Sequence, residues 1–236
     1  MPFYIKWIII AVEAYLLGSL SFSIIVSKGI YKQDIRTFGS GNAGMTNVLR
    51  TFGKKAAALT ITGDVLKGTV AVLIARLIFA STPVTLQLNH AFNMFGREIY
   101  FSNNLYMEIG LYIAVLGAVL GHMFPIYFGF KGGKGVSVVA GAMIAVTPVT
   151  LLIALSIFFV IVFTTKIVSL GSIFAPMTYP IWTLCQVYIT QTVSVPNLVA
   201  AIVFPSIIVW THRTNIKRLL NGTEYKFGQD KNKDKK

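Results

Sequence analysis

Long apolar stretches separated by short polar ones dominate the chain. They run from Ile5 to Val26, from Ala56 to Phe79, from about Tyr106 to His122, from Ser137 to Phe163, from Val168 to about Tyr188, and from Leu198 to Trp210. A helix needs about 20 apolar residues to cross a hydrocarbon core about 30 Å thick. The first stretch is longer than the apolar part of a signal peptide and has no clear small-residue cleavage site, so it reads as a span. The 137–163 stretch is interrupted by Thr147-Pro148. Proline removes a backbone donor and restricts the residue before it, so a break is expected there. The two arms would hold about 13 residues each, too few to span untilted.

Composition agrees with a membrane solvent. Of the 236 residues, 55% are hydrophobic and 12% charged, and mean hydropathy is +0.69. Soluble domains carry about 25% charged residues. The net charge of +13 sits in the loops and the tail rather than in the apolar stretches. In such a chain it reads as the positive-inside bias and not as a nucleic-acid surface. One cysteine, Cys185, excludes a disulfide framework, and no Cys/His metal cluster can be assembled.

The same charges set an orientation. Only Lys6 precedes or opens the first span, whereas Lys28, Lys32, Arg36, Arg50, Lys54 and Lys55 follow it. Arg97 is the one basic residue between Ala80 and Leu105, while Lys131 and Lys134 lie between Met123 and Val136. The tail carries Arg213, Lys217, Arg218, Lys226 and further lysines. Were 137–163 a single helix, this most basic segment would lie outside. A turn near Pro148 puts Lys166 and the tail inside. The expectation is therefore an all-α polytopic membrane protein with seven transmembrane helices, its N-terminus outside and its C-terminus cytoplasmic. Residues 1–226 read as one membrane-embedded domain and 227–236 as a disordered basic tail. No internal repeat is evident.

Three polar segments look chemical, and all fall on the expected cytoplasmic side. The first runs Gly39-Ser40-Gly41-Asn42-Ala43-Gly44-Met45-Thr46-Asn47-Val48-Leu49-Arg50. Glycines allow close backbone approach, and arginine offers a planar fork to phosphate. The second is Gly121-His122-Met123-Phe124-Pro125 followed by Phe130-Lys131-Gly132-Gly133-Lys134-Gly135, which precedes a helix as an anion site would. It lacks the spacing of a Walker A loop. The third runs from Thr211 to Glu224, with His212 and Asn215 neighbours if it is helical. Taken singly, each has a plain alternative: a capped turn, a positive-inside loop, or a basic helix on anionic lipid. His122 alone reads as a hydrogen-bonded structural residue. Three such segments on one face are much less readily coincidental. Inside the spans, Asp64 and Lys67 are spaced to pair, and Glu13 has no evident local partner.

In order and in combination, these three segments resemble the bacterial acyl-phosphate:glycerol-3-phosphate acyltransferase family (PlsY). Asp64-Val65-Leu66-Lys67-Gly68 is similar to that family as well. The resemblance runs from the first span through Glu224. Met45 stands where the family usually has a small residue, and the loop from Ser81 to Leu105 is longer than usual.

The resemblance implies a multi-pass enzyme of the bacterial plasma membrane with a cytoplasmic-facing site. It would move a fatty acyl group from acyl phosphate to the 1-hydroxyl of glycerol 3-phosphate, giving lysophosphatidate and phosphate. It implies Ser40, Arg50, Lys134, His212 and Asn215 as the catalytic set. Gly41, Asn42, Thr46, Asn47, Lys131, Gly132, Gly133, Gly135 and Glu224 would bind substrate, with backbone groups of 132–135 as an anion hole. No cofactor and no metal are expected. The partners are the two substrates, the bilayer and a soluble enzyme that makes acyl phosphate, with no nucleic acid. The hydroxyl proton could pass to His212 or to the departing phosphate, and the lack of an evident His–carboxylate pair favours the phosphate.

Two rivals stand beside this reading. Thioester-using acyltransferases carry Asp five positions after His, but Phe95, Tyr127 and Lys217 stand at that offset from His90, His122 and His212. A phosphate or other anion transporter would want polar groups along a path through the bundle, whereas here they gather at one face.

Overall fold

The computed structural model describes residues 1–80, 90–102 and 104–227. The remainder of the expected tail, 228–236, and the first part of the expected outer loop, 81–89, lie outside the described residues.

The described chain is helical apart from one small sheet. The helices are α1 (Phe3–Gly18), α2 (Phe22–Tyr31), α3 (Met45–Phe52), α4 (Lys54–Ala80), α5 (Leu105–Met123), α6 (Val136–Val146), α7 (Pro148–Thr165), α8 (Val168–Phe174), α9 (Thr178–Thr190), α10 (Val195–Thr211) and α11 (Arg213–Leu220). Among the described residues, four stretches are long and apolar enough to cross a bilayer: Phe3–Tyr31, Lys54–Ala80, Leu105–Phe128 and Pro148–Thr165. Joining α10 to α11 across a 62° bend makes up to five. α7 is apolar along its whole length, and only 6% of it is buried by the rest of the protein. Such a surface is stable against lipid tails and not against water.

Small residues set the helix spacing. At Gly18 an added Cβ would run into the backbone of Ala118, and at Gly121 into the carbonyl of Tyr15, so α1 and α5 touch backbone to backbone. Gly68 and Gly141 do the same between α4 and α6. Close approach of this kind substitutes for a hydrophobic driving force inside lipid. Around it lies a core that includes Ile10, Val72, Val115 and Val119, all fully buried.

The stretch expected as one first span is broken between Gly18 and Phe22. The break frees the carbonyl of Leu20, which accepts a hydrogen bond from Lys67 Nζ at 2.7 Å. The expected break at Thr147-Pro148 is present: Thr147 caps α6, and Pro148 takes the first position of α7. The arms are unequal, at 11 and 18 residues. They double back on each other, because Lys134 just before α6 and Ser169 just after α7 both join one cluster around Glu224. The backbone N–H of Phe227 also donates to the carbonyl of Lys166 at 2.6 Å.

Part of the expected outer loop is a structured element that composition did not suggest. Strands β1 (His90–Met94) and β2 (Arg97–Phe101) form an antiparallel hairpin around Phe95 and Gly96, both at positive φ. A short β3 (Thr192–Val193) adds parallel to β2. Ile99, Val187 and Val193 bury against one another beneath it.

Candidate active site

The first glycine-rich loop is built around Asn47. The buried Asn47 amide donates to the carbonyls of Ile35, Phe38 and Asn42 at 3.2, 2.9 and 3.1 Å. Its oxygen accepts the backbone N–H of Ser40 at 3.1 Å. Asn47, expected from the resemblance to meet substrate, thus has its amide engaged within the loop and holds its shape. Gly39 and Gly41 take positive φ to close the turn, and an added Cβ at Gly39 would run into the Asn47 oxygen. Ser40 and Gly41 are left exposed, while Asn42 and Thr46 are half-buried.

The second loop folds back on the end of α5. The N–H groups of Gly132 and Gly133 donate to the carbonyls of Met123 and His122, each at 3.1 Å. Two of the groups expected in an anion hole are therefore already engaged. Further backbone donors lie in the first turn of α6, whose N-cap is Gly135 at φ 86°. Ala43 of the first loop abuts Gly133, so the two loops share a wall. Arg36 ties them from the other side, donating to the carbonyls of Phe128 at 2.6 Å and Lys131 at 3.3 Å. Asp34 aligns Arg36 at 2.8 Å, and the arginine holds that carboxyl well below the usual carboxylate range. Between the loops lies a polar cavity of about 530 Å3, lined by Asp34, Arg36, Thr37, Gly41, Lys131 and Gly132 among others.

The third segment supplies a hydrogen-bonded chain. Lys134 Nζ donates to Asn215 Oδ1, and Asn215 Nδ2 donates to Glu224 Oε1 at 2.8 Å. Ser169 Oγ donates to the same oxygen at 2.8 Å, and Arg218 Nε to Glu224 Oε2 at 2.7 Å. Burial pushes the Glu224 carboxyl up, but the hydrogen bonds from Arg218, Asn215 and Ser169 outweigh it and keep the group below its ordinary value. Arg50 crosses from α3 to lie 4.8 Å over the ring of Tyr225, and Arg218 lies 5.6 Å from the same ring. Burial, with help from the nearby Arg218 charge, lowers Lys134 to about 8.

His212 sits at the bend between α10 and α11. Its Nδ1 is 2.7 Å from the carbonyl of Ile208, which can only accept, so Nδ1 carries the hydrogen and Nε2 the lone pair. Burial and the Lys134 charge hold His212 at about 4, so it is neutral at pH 7.

Nothing in the local sequence marks Ser169 or Tyr225 as members of this cluster, and Arg218, although inside the third polar segment, is not among the expected site residues. Ser169 lies in an apolar helix, and only the fold brings it 2.8 Å from Glu224. The expected pairing of Asp64 with Lys67 is present at 2.9 Å, and both lie beside His122 beneath the second loop. Among the described residues, the oxygens of Glu13 have no hydrogen-bond partner. Glu13 lines an apolar groove of about 550 Å3 with Ile9, Val12, Leu16 and Tyr127. No group of three or more His, Cys, Asp or Glu among the described residues could hold a metal ion.

Comparison with known proteins gives this geometry a context. The family model described as glycerol-3-phosphate acyltransferase matches residues 8–222. A glycerol-3-phosphate acyltransferase of Clostridioides difficile (strain 630) is 46% identical over 226 residues, covering 96% of this chain and 98% of the relative. One from Neisseria meningitidis serogroup C (strain 053442) is 40% identical, covering 91% and 94%. The crystal structure of PlsY (YgiH), an integral membrane glycerol 3-phosphate acyltransferase in its glycerol 3-phosphate form, superposes with TM-score 0.76 at 35% identity, over 94% of this chain and 96% of that one. Its lysophosphatidic acid form gives TM-score 0.73 at 34% identity.

Proposed function

Since this chain belongs to the glycerol-3-phosphate acyltransferase family, we propose that it acylates the 1-hydroxyl of glycerol 3-phosphate in the membrane, with acyl phosphate as donor. The observation that carries this reading is the convergence of Arg50, Lys134 and Arg218 around Asn215 and Glu224. Both substrates are phosphate anions, and here cations from three separate segments meet, Lys134 and Arg218 half-buried and Arg50 exposed.

Arg50 and Lys134 would neutralise phosphate charge through charge-assisted hydrogen bonds. The first turn of α6 would add backbone donors, and Asn215 and Glu224 would hold Lys134 in place. Gly41 and Lys131, which line the polar cavity, and the exposed Ser40 next to Gly41 would guide the polar end of a substrate. Tyr127 of the apolar groove is adjacent in sequence to Phe128 of the polar cavity. An acyl chain along the groove would therefore bring its phosphate to the loops.

The hydroxyl oxygen of glycerol 3-phosphate attacks the acyl carbonyl carbon. The bond from that carbon to the phosphate oxygen breaks, and inorganic phosphate leaves. The departing phosphate takes the hydroxyl proton. His212, near 4, is too weak a base to compete at pH 7 and serves through its Nε2 lone pair as an acceptor that orients the hydroxyl. An acyl phosphate is a mixed anhydride with a good leaving group, so no covalent enzyme intermediate is needed.

Seven spans with the three loops facing the cytoplasm complete the reading. The double-back of α6 on α7 and the gathering of all three segments at one end of the bundle support it. A soluble enzyme that makes acyl phosphate would supply the donor. The decisive experiment gives the purified protein glycerol 3-phosphate and a synthetic acyl phosphate. Lysophosphatidate and phosphate should appear in equal amounts. Comparable turnover with acyl-CoA alone would overturn the choice of donor.

A further inference from the structure

Beneath the second loop lies a buried ionic cluster that the proposed reaction does not use. Asp64, Lys67 and His122 are respectively 0%, 4% and 2% exposed. Lys67 Nζ lies 2.9 Å from Asp64 Oδ1, 3.0 Å from His122 Nδ1 and 2.7 Å from the carbonyl of Leu20. Asp64 Oδ1 is itself 3.6 Å from His122 Nδ1. Burying this set inside a membrane bundle is costly, and a hydrophobic packing of the same shape would serve stability as well.

The cluster has a direction. A lysine ammonium can only donate, so Nδ1 of His122 accepts and its hydrogen sits on Nε2. The ring is thereby fixed in one tautomer and one orientation. Its Nε2 edge faces Gly133 so closely that a Cβ there would run into it. The carbonyls of His122 and Met123 meanwhile hold the N–H groups of Gly133 and Gly132 at 3.1 Å. The next residue is Lys134, whose side chain reaches Asn215.

We infer that Asp64 and Lys67 are positioning residues that act through His122 to set the Gly132–Gly133 turn and, with it, the placement of Lys134. This rests on the proposed role of Lys134. The ion pair locks the imidazole, the imidazole and its carbonyl lock the turn, and the turn delivers Lys134 to the phosphate site. Retaining a buried ion pair in lipid then serves orientation rather than stability.

The test is a double-mutant cycle on kcat/KM for glycerol 3-phosphate, with thermal stability followed in each variant. Asp64→Asn combined with Lys67→Met removes both charges together and avoids stranding one. In the otherwise wild-type chain this pair should lower kcat/KM by about tenfold or more, as loss of alignment does. In a Lys134→Ala chain the same pair should change kcat/KM by less than about threefold, since residues acting through one group are not additive. Should the paired variant fail to fold, His122→Asn supplies the same cycle, because it keeps an acceptor toward Lys67 and loses the ring edge against Gly133. Equal losses in both backgrounds would overturn the inference and leave the role of Lys134 intact. An unchanged Lys134→Ala enzyme would overturn both.

Discussion

The ammonium group of Lys134 donates to the side-chain oxygen of Asn215, 81 positions further along the chain. That one contact brings the second and third polar segments together, and Arg50 over Tyr225 brings the first to meet them. A phosphate anion entering from the loops would meet cations from α3, from the turn before α6 and from α11.

Loss of either central cation should therefore be costly. Hydrogen bonds to charged groups contribute about 1.5–3 kcal/mol each. Arg50→Ala or Lys134→Ala should lower kcat/KM by at least about tenfold, since about 1.36 kcal/mol is one decade. Arg50→Lys should not rescue, because an ammonium has neither the fork nor the flat face that lies on Tyr225. Lys55→Ala, on the exposed start of α4, is the control and should change little. Steady-state kinetics with expression measured for each variant decides this. Near-wild-type rates for both Arg50→Ala and Lys134→Ala would remove the assigned site.

The pH profile should carry the mark of Lys134. Burial disfavours its ammonium, so the proton leaves near pH 8 instead of at the ordinary lysine value of 10.5. kcat/KM should fall as pH rises through about 8. The fall should not reflect unfolding by this group. Between the two values the unfolded chain binds more protons than the folded one, so this lysine's contribution to stability rises with pH. In Lys134→Arg the residual activity should lose the limb near pH 8, because a guanidinium stays charged. A limb unmoved in Lys134→Arg would assign it elsewhere.

Helix packing predicts opposite outcomes at two glycines. At Gly121 a side chain would meet the backbone of Tyr15 and Ser19, which cannot turn aside. Gly121→Val should cost about 1–3 kcal/mol or more through forced separation of α1 and α5. Gly29 in α2 has nothing within 4 Å of an added Cβ. There Gly29→Ala should be neutral or stabilise by up to about 1 kcal/mol, through helix propensity. Thermal denaturation in detergent compares them, and equal midpoints would contradict the close contact of α1 with α5.

Topology can be read by labelling, after Cys185 is replaced by serine. Single cysteines at Ser40, Lys134 or Thr223 should be shielded from an impermeant reagent added outside intact cells. A cysteine at Asn93, in β1, should react. Outside labelling at Thr223 would reverse the orientation of the whole third segment.

The amino-acid order settles whatever depends on one segment at a time. Apolar length decides whether a stretch belongs in lipid. Lysine and arginine near its ends bias its direction. Proline after Thr147 has no N–H to offer, so the break there is legible from the residues alone. The three polar segments hold glycine, asparagine, lysine and arginine, residue types that suit a phosphate ligand.

Which of those groups are still free is a matter for the folded bundle. Asn47 resembles a ligand in the sequence, yet it lies inside its own loop. The N–H groups of Gly132 and Gly133 resemble an anion hole, yet they are bonded to the end of α5. Ser169 and Tyr225 carry no local signal, because Ser169 meets Glu224 and Tyr225 meets Arg50 only across long stretches of chain. The same holds for His122, which meets Lys67 of α4, while Lys67 in turn reaches Leu20 in the α1–α2 break. A buried polar group must find a partner wherever packing places one, and packing is a property of the assembled bundle rather than of any stretch within it.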